Sequence, residues 1–310
     1  MNPPSAGGDG EPAIRAQELS KRYGDAVALS GLTMTVPRGE IFGFLGPNGS
    51  GKTTAVKLFL GLVSASGGDA WLLGRHSTSR SARERVGYLP ELFRYQGWLS
   101  ADEVLLLHCN LARLPRSQWG REVDAALATV GLTDHRSSRV GTFSKGMQQR
   151  LGIGVALLGR PELVILDEPT SALDPVGRHD VRAIIRGLRD RGCAVFLNSH
   201  LLSEVEQVCD RVAVVSRGGV LATGTIAELL RGDIVRLRLG GLDDAARAAL
   251  AQRAAISERD GWIEMRGLRD DDIPPLVADL VSHGVRVYAV EHARQSLEDR
   301  FLALLQGGEP

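Results

Sequence analysis

The sequence predicts an α/β domain with a largely parallel sheet, followed by a small α+β domain of ferredoxin-like order. Three observations support this prediction. Between Ala13 and about Leu230, short apolar β-rich runs alternate with helical stretches, which is typical of parallel α/β folds. A glycine-rich segment from Gly46 to Thr53 separates one such run from a stretch with helical spacing. Beyond Leu230 the predicted elements follow the order βαββαβ.

Composition limits the class of protein. A chain of 310 residues is long enough for about two domains with buried cores. Its 37 basic and 37 acidic residues cancel, so no global basic field favours binding to nucleic acid or to an anionic bilayer. Cys109, Cys193 and Cys209 are dispersed, which fits a reducing cytoplasm. Since no apolar stretch approaches the roughly eighteen residues of a spanning helix, we expect any membrane role to need another chain.

The first domain is predicted at residues 13–230. Residues 1–12 precede it and are rich in Pro, Gly and Ser, which indicates a flexible tail and not a signal peptide. Seven apolar runs are predicted as strands: Leu32 to Val36, Ile41 to Leu45, Ala70 to Leu73, Val86 to Leu89, Leu163 to Asp167, Ala194 to Asn198 and Arg211 to Val215. A hairpin with its turn at Gly218-Gly219 follows the last of these runs.

A helical insertion is predicted inside this domain, at about residues 99–158. Strand patterns vanish between Leu99 and Gly141. Apolar residues recur instead at intervals of three and four in Asp102 to Arg113 and in Arg121 to Val130, which predicts amphipathic helices. A further helix is predicted from Gly146 through Leu158.

The second domain is predicted at residues 233–305. Its strands are expected at Ile234 to Leu239, Ala255 to Arg259, Trp262 to Arg266 and Val285 to Val290, and its helices at Asp243 to Gln252, Asp272 to His283 and Ser296 to Leu305. Asp260-Gly261 is a strong two-residue hairpin turn. The βαββαβ order predicts a ferredoxin-like unit with an additional terminal helix.

The glycine-rich segment matches a phosphate-binding loop at every defined position. Its residues are Gly46, Pro47, Asn48, Gly49, Ser50, Gly51, Lys52 and Thr53, and Thr54 opens a stretch with helical spacing. Glycines allow backbone N–H groups to converge on phosphate oxygens, Lys52 can bridge the β and γ phosphates, and the Thr53 hydroxyl can ligate Mg²⁺. A helix N-terminus would add its positive dipole end. A chance glycine-rich turn is the alternative, and the preceding strand and following helix argue against it.

Two acids end the apolar run that precedes Pro169. A buried strand here would deliver Asp167 to a Mg²⁺ ion and Glu168 to a water beside the γ phosphate. An apolar strand that ends in a capping acid is common, so this motif is only moderately specific by itself. We therefore interpret the two acids together with the phosphate loop.

The segment Phe143-Ser144-Lys145-Gly146-Met147-Gln148-Gln149-Arg150-Leu151 resembles the signature sequence of ABC ATPases. From its residues alone, Ser144 is expected to cap a helix and Gly146 to permit close approach. An ordinary capped amphipathic helix would satisfy the same pattern. The resemblance implies more: Ser144 and Gly146 would contact ATP bound to the opposing subunit, in a head-to-tail homodimer that holds two ATP molecules.

Three other positions resemble functional positions of this family. Tyr23 falls where an aromatic ring stacks on adenine, although it could simply be a tyrosine at a strand end. Asp174, in Ser171-Ala172-Leu173-Asp174, corresponds to a loop that touches the partner subunit. His200 follows a predicted strand and resembles the switch histidine that contacts the γ phosphate, so it joins Glu168 and Lys52 as a candidate catalytic residue.

Two departures indicate the branch of the family. Glu91 stands where Gln is usual and is predicted as a further Mg²⁺ ligand beside Thr53 and Asp167. In the signature, Lys145 replaces Gly and Met147 replaces Gln. This combination resembles the ATPases of ABC-2-type exporters, similar to the daunorubicin-resistance ATPases, which also carry an accessory C-terminal domain.

The resemblance implies an ATPase that uses ATP and Mg²⁺ to drive a separate membrane permease. Two other functions are possible for a chain with a phosphate loop. A soluble ABC ATPase acting on DNA or the ribosome would need a long coiled coil or a second cassette, and the sequence contains neither pattern. A small-molecule kinase with a phosphate loop would leave Ser144 and His200 unexplained. We therefore expect no nucleic-acid partner, and a cytoplasmic chain held at the inner face of the membrane by its permease.

Overall fold

A computed structural model provides the fold and describes residues 10–171, 173–230, 234–268, 270–292 and 296–305. Most of the predicted tail lies outside these residues, as does Ala172. The chain divides into two compact units after Thr225, slightly before the predicted end of the first domain at residue 230. Within the described residues, no helix combines the length and the apolar character needed to cross a bilayer.

The first unit contains two sheets and a group of helices. Its strands are β1 (Ile14–Tyr23), β2 (Ala26–Val36), β3 (Ile41–Leu45), β4 (Gly67–Leu72), β5 (Arg75–His76), β6 (Val86–Leu89), β7 (Leu163–Asp167), β8 (Ala194–Asn198), β9 (Arg211–Ser216) and β10 (Gly219–Thr225). Its helices are α1 (Lys52–Phe59), α2 (Ala101–Leu111), α3 (Trp119–Thr129), α4 (Lys145–Ala156), α5 (Pro175–Asp190) and α6 (Leu202–Val208).

A six-stranded sheet forms the centre of this unit, in the order β10-β9-β3-β8-β7-β6. All neighbours are parallel except the β9–β10 hairpin. Strands β3, β7 and β8 are buried along their whole length, which explains why their sequences are continuously apolar and not alternating. Gly43 allows α6 to pack closely, because a Cβ there would come within 2.8 Å of the Val205 side chain.

The second sheet, in the order β2-β1-β4-β5, is entirely antiparallel and was not predicted as a separate layer. A single hydrophobic core joins this sheet to α1 and to one face of the parallel sheet. Phe196 lies at its centre, with the rings of Phe42, Phe44 and Phe59 between 5.2 and 6.2 Å away. This core fixes the position of the loop that connects β3 to α1.

Within the first unit, four predicted strands (β3, β6, β7 and β8) are confirmed at both ends. Other boundaries were wrong. The helical stretch predicted to open at Thr54 begins at Lys52, because Gly51 adopts a left-handed φ of 98° immediately before it, and it ends at Phe59. Strand β2 begins at Ala26 and not at Leu32, and β1 and β5 were missed.

The predicted helical insertion is present as α2, α3 and α4. Helix α2 begins where predicted to within one residue, and the Glu103 carboxylate accepts a hydrogen bond of 2.8 Å from the Ser100 N–H. Buried Glu122 on α3 ties the insertion to the segment after α4, since it accepts hydrogen bonds from Gly159 N at 3.0 Å and from Arg160 Nε at 3.1 Å. The insertion is therefore anchored to the sheet at the amino end of β7.

The second unit shows the predicted βαββαβ order. It comprises α7 (Ile226–Leu230), β11 (Ile234–Gly240), α8 (Asp244–Arg253), β12 (Ala255–Arg259), β13 (Trp262–Arg266), α9 (Ile273–Ser282), β14 (Arg286–His292) and α10 (Leu297–Leu305). The antiparallel sheet has the order β12-β13-β11-β14, so the first and third strands of the motif are central. Side chains from this sheet and from α8 and α9 form a separate core, which includes Leu237, Leu250, Met265 and Leu280.

Candidate active site

Three loops meet at the carboxyl edge of the six-stranded sheet. They follow β3, β7 and β8, which are adjacent in the order β3-β8-β7. The register pairs Asn198 with both Phe44 and Asp167, so the ends of these strands lie side by side. Ligand sites of open α/β sheets occur at this edge. The phosphate-type loop, the acid pair and His200, which are far apart in sequence, are thereby brought to one edge of the sheet.

The loop after β3 requires glycine at two positions. A Cβ on Gly46 would come within 2.4 Å of the Val215 carbonyl oxygen. Gly51 combines its left-handed φ with a close approach to the Ala28 carbonyl, where a Cβ would lie at 2.3 Å. Ser50 N donates to Pro47 O at 3.2 Å, which closes the turn. Pro47, Asn48 and Gly49 are exposed, so the tip of the loop is open to a ligand.

Lys52 is held inside this loop. Its side chain is buried, and Nζ donates to Gly46 O at 2.7 Å and to Pro47 O at 3.2 Å. Burial lowers the Lys52 pKa, and the negative charges of Glu168, Asp167 and Glu91 oppose that shift. Thr53 and Thr54 follow in the first turn of α1, which contains no acidic residue, with Thr53 exposed and Thr54 half-buried. The positive ammonium and the helix N-terminus thus lie at the same loop.

Asp167 ends β7 and is 2% exposed. Burial raises its pKa, while a short hydrogen bond from the Asn198 side-chain amide acts in the opposite direction. Two other buried oxygens at this edge, Ser50 Oγ and Asn198 Oδ1, have no hydrogen-bond partner within the described structure. A buried carboxylate and nearby hydroxyl and amide oxygens are the hard donors that Mg²⁺ prefers.

The described residues contain no cluster of three or more His, Cys, Asp or Glu side chains arranged to hold a metal. Mg²⁺ usually takes one or two protein carboxylates and completes its coordination with water and phosphate oxygens. Burial raises the pKa of Tyr88 to about 12, and the charges of Asp167 and Glu91 add to that shift. Glu91 is exposed, and its charge adds to the effect of burial on the pKa of Asp167. Glu91 therefore lies within electrostatic range of Asp167, and its role as a ligand stays a prediction.

The Glu168 carboxylate and the His200 imidazole are in contact. Glu168 Oε2 lies 2.8 Å from His200 Nδ1, although the angle is not that of an aligned hydrogen bond. The Glu168 side chain is largely buried, whereas His200 is half exposed. Glu168 has a left-handed φ of 53°, which is held by hydrogen bonds from its N–H to Asn198 O at 2.9 Å and from Ser171 Oγ to its carbonyl at 3.2 Å. This backbone conformation fixes the direction in which the Glu168 side chain leaves the main chain.

The other predicted site residues lie at exposed positions. Ser144 caps α4, with Oγ accepting from Met147 N at 3.2 Å, and Asp174 caps α5, with Oδ1 accepting from Gly177 N at 2.8 Å. Among the described residues, a Cβ on Gly146 would meet only the Ser144 hydroxyl, at 3.9 Å, so no neighbour in that part of the chain requires glycine there. Tyr23 is 49% exposed at the end of β1, and the Lys21 ammonium lies 4.9 Å from its ring centroid.

Two features near this edge were not predicted from the sequence. Asn198 was assigned only as a strand end, yet it orients Asp167, and its position at the end of an apolar run was the available signal. The second feature is a buried ion pair: Arg182 on α5 donates from Nη1 to both Glu204 oxygens, at 2.9 and 3.0 Å. It joins the helix that follows Asp174 to the helix that follows His200. No sequence signal pairs residues on two different helices.

A separate cavity of about 490 Å³ lies at the opposite edge of the parallel sheet, near Glu122, Glu162 and Cys193. These residues adjoin the amino ends of β7 and β8 or belong to α3. The cavity is therefore remote from the three loops described above. We assign the candidate active site to the loops, because the charged groups and the two unpartnered buried oxygens converge there.

Comparisons with known proteins agree on one family. A sequence profile described as ABC transporter matches residues 29–171. An uncharacterized ABC transporter ATP-binding protein of Synechocystis sp. is 41% identical over 94% of this chain and 84% of its own length. The daunorubicin/doxorubicin resistance ATP-binding protein DrrA of Streptomyces peucetius is 36% identical over 95% of this chain and 89% of its own. A solved ATP-binding subunit of an ABC transporter is similar with a TM-score of 0.64 at 30% identity, over 71% of this chain and 92% of that one.

Proposed function

This chain belongs to the ABC transporter family, and we propose that it is the ATP-hydrolysing subunit of an exporter in which residues 46–54 bind the phosphates of ATP beside Asp167 and Glu168. These residues are assigned because the loops after β3, β7 and β8 meet at one edge of the sheet. Lys52 would exchange its contacts with Gly46 O and Pro47 O for oxygens of the β and γ phosphates. The exposed Tyr23 ring would stack on adenine.

The same edge fits Mg²⁺. Thr53 and Asp167 would hold the ion, which neutralises charge on the β and γ phosphates when bound. Asn198 keeps Asp167 oriented through its amide hydrogen bond. The elevated pKa of Asp167 reflects burial beside two other carboxylates, so added positive charge there would stabilise the ionised form.

Glu168 would act on the attacking water. Its carboxylate would orient a water molecule beside the γ phosphate and accept a proton from it. His200 contacts the same carboxylate and projects from the adjacent strand end, so it would hold the γ phosphate and the water in a common geometry.

A head-to-tail homodimer would complete this site. Ser144, Gly146 and Asp174 lie at the exposed starts of α4 and α5, where the open space at Gly146 would admit a phosphate from the partner subunit. Helix α4 has no acid in its first turn, so its N-terminus suits an anion. Closing the dimer on two ATP molecules and reopening it after hydrolysis would supply the mechanical cycle.

A membrane permease would be driven by this cycle. We expect its cytoplasmic helices to dock beside residues 91–114, where Leu92 is 88% and Trp98 is 73% exposed. This contact would hold the chain at the inner face of the membrane.

The test of the proposed function is to purify the chain with its membrane partner in lipid vesicles and to measure MgATP hydrolysis and transport together. Hydrolysis that neither depends on the partner nor responds to any candidate compound would contradict the coupling.

The Arg182–Glu204 ion pair is expected to position the loops that carry Asp174 and His200. Arg182→Met would leave Glu204 buried without its partner, and we expect a stability loss of about 3–5 kcal/mol. In Arg182→Met/Glu204→Met, apolar packing should recover most of that stability. If the pair positions the loops of Asp174 and His200, kcat of the double variant should remain low while its melting temperature recovers. Thermal unfolding and ATPase assays on both variants measure this; recovery of kcat together with stability would show a purely structural role.

Removing the second unit should leave ATP binding intact. The second unit has its own core, and every residue proposed to handle ATP lies between Tyr23 and His200. We therefore expect a chain truncated after Thr225 to fold and to bind MgATP, with the change appearing in dimer formation or transport. Equilibrium binding and sedimentation of both chains, each carrying Glu168→Gln, test this. A truncated chain that is folded but unable to bind ATP would assign the segment to the nucleotide site.

A further inference from the structure

The connection between α2 and α3 is unusual in its charge. From Val104 to Arg121 the sequence contains no acidic residue, although acids and bases balance over the whole chain. Arg113, Arg116 and Arg121 are all exposed, and across residues 10–171 none of them forms an ion pair with a carboxylate. We call residues 107–121 the α2–α3 turn.

The neighbouring acids do not neutralise this turn. Glu122 is buried and bound to Gly159 N and Arg160. Asp124, on the next turn of α3, is paired with Arg136 at 2.6 Å. The positive charge of the three arginines is therefore presented to the surroundings of the protein.

Exposed apolar side chains accompany these arginines. Leu107 and Leu111 lie one helical turn apart near the end of α2, and they are 40% and 65% exposed. The Arg116 guanidinium lies 5.6 Å from the centroid of the Trp119 ring, which is only partly buried. The α2–α3 turn thus combines free cations with apolar groups on a short stretch of chain.

The shape of the turn is fixed before any partner binds. Leu114 N donates to Cys109 O at 3.0 Å, and Gln118 N donates to Pro115 O at 2.9 Å. The Trp119 indole N–H closes the turn with a hydrogen bond of 2.9 Å to Leu114 O. Binding would therefore cost little ordering of the backbone.

We propose that the α2–α3 turn contacts the anionic phospholipid surface of the membrane directly. The guanidinium groups would bind lipid phosphate oxygens in a bidentate manner, and Leu107 and Leu111 would enter the interface between headgroups and acyl chains. An acidic protein surface would satisfy the arginines but not the leucines. A bilayer offers both an anionic layer and an adjoining apolar region, so the observed combination favours lipid. This contact goes beyond the proposed function, because it gives residues 107–114, the end of the segment 91–114 beside which the permease is proposed to dock, to lipid. Its orienting role rests on the proposed function, whereas binding of the chain to vesicles without permease does not.

The expected contact is weak by itself. Near an anionic leaflet each arginine raises the membrane partition constant by a factor of roughly five, so three arginines raise it about a hundredfold. Such a contact would act mainly once the permease has brought the chain to the membrane, because a second, tethered contact benefits from a high effective concentration. Its role would be to set the orientation of the helical insertion against the bilayer.

Sedimentation with lipid vesicles tests the proposal on the full chain. We expect binding to vesicles of equimolar phosphatidylglycerol and phosphatidylcholine, little binding to phosphatidylcholine alone, and a marked loss at high salt. Arg113→Gln/Arg116→Gln/Arg121→Gln should lower the partition into anionic vesicles by at least about tenfold. The matched control Arg80→Gln/Arg191→Gln/Arg238→Gln removes three exposed arginines elsewhere and should bind nearly as the wild type does.

A second variant separates lipid contact from simple charge attraction. Leu107→Ser/Leu111→Ser keeps every arginine and should still weaken binding severalfold, because the apolar contribution is lost. Both arginine variants should keep their lipid-free ATP turnover, which also shows that they fold. Equal vesicle binding by the two arginine variants would overturn the proposal. Binding that appears only when the vesicles contain the permease would overturn it as well and would make the turn a protein interface.

Discussion

Glu168→Gln is expected to lower ATP turnover by about two to four orders of magnitude while MgATP binding is retained. The amide has almost the same shape as the carboxylate, so the phosphate loop and Asp167 should keep their positions. An amide cannot accept the proton of the attacking water. Because hydrolysis is what reopens the dimer in the proposed cycle, ATP-bound dimers should accumulate. Single-turnover hydrolysis and sedimentation with MgATP measure the two effects.

The control for this substitution is Glu122→Gln. Glu122 is also a largely buried carboxylate in the first unit, but it binds Gly159 N and Arg160 away from the three loops. We expect it to change stability without a comparable loss of turnover per folded molecule. If Glu168→Gln hydrolyses ATP at a nearly normal rate, Glu168 does not act as the base, and His200 becomes the next group to examine.

The strands that were predicted best from the sequence are those formed by one uninterrupted apolar run. Strands β3, β7 and β8 are buried on both faces, so their apolar runs have sharp ends that coincide with the structure. Strand β1 was missed because its alternation is broken. Its pairing with β2 shifts register after Ala16, and Glu18 adopts a left-handed φ of 48°. A bulge of this kind moves the following side chains to the other face and hides the two-residue period.

In the candidate site, the contiguous motifs were predicted from the sequence and the contacts between distant elements were not. The loop at 46–54 and the pair Asp167-Glu168 are contiguous, so the motif carries the chemistry within a short segment. The contribution of Asn198 and the Arg182–Glu204 pair depends on which strands are adjacent and on how α5 packs against α6. Strand order and helix packing are set by the whole core, in which Phe196 contacts rings from two other elements. Local spacing contains no information about such pairings.

Mixing two inactive variants should restore part of the ATP turnover. Lys52→Ala removes the ammonium that is held by Gly46 O, and Ser144→Arg places a large cation at the exposed start of α4. In a head-to-tail dimer each site takes Lys52 from one chain and Ser144 from the other. A mixed dimer would therefore collect both lesions in one site and leave the other intact. With random exchange about half of the dimers are mixed, so roughly a quarter of wild-type turnover is expected if the sites act independently.

The matched control mixes Lys52→Ala with the double variant Lys52→Ala/Ser144→Arg. Every site in that mixture lacks Lys52, so no recovery is expected, and any activity would reveal contamination. The readout is steady-state phosphate release after the chains have exchanged, together with the amount of ATP bound per dimer. Recovery in the first mixture alone supports shared sites. If turnover does not recover but one ATP is still bound per mixed dimer, hydrolysis needs both sites together. If the mixed dimers neither hydrolyse nor bind ATP, Ser144 does not complete the partner's site, because a site with intact Lys52 and Ser144 would then have no activity.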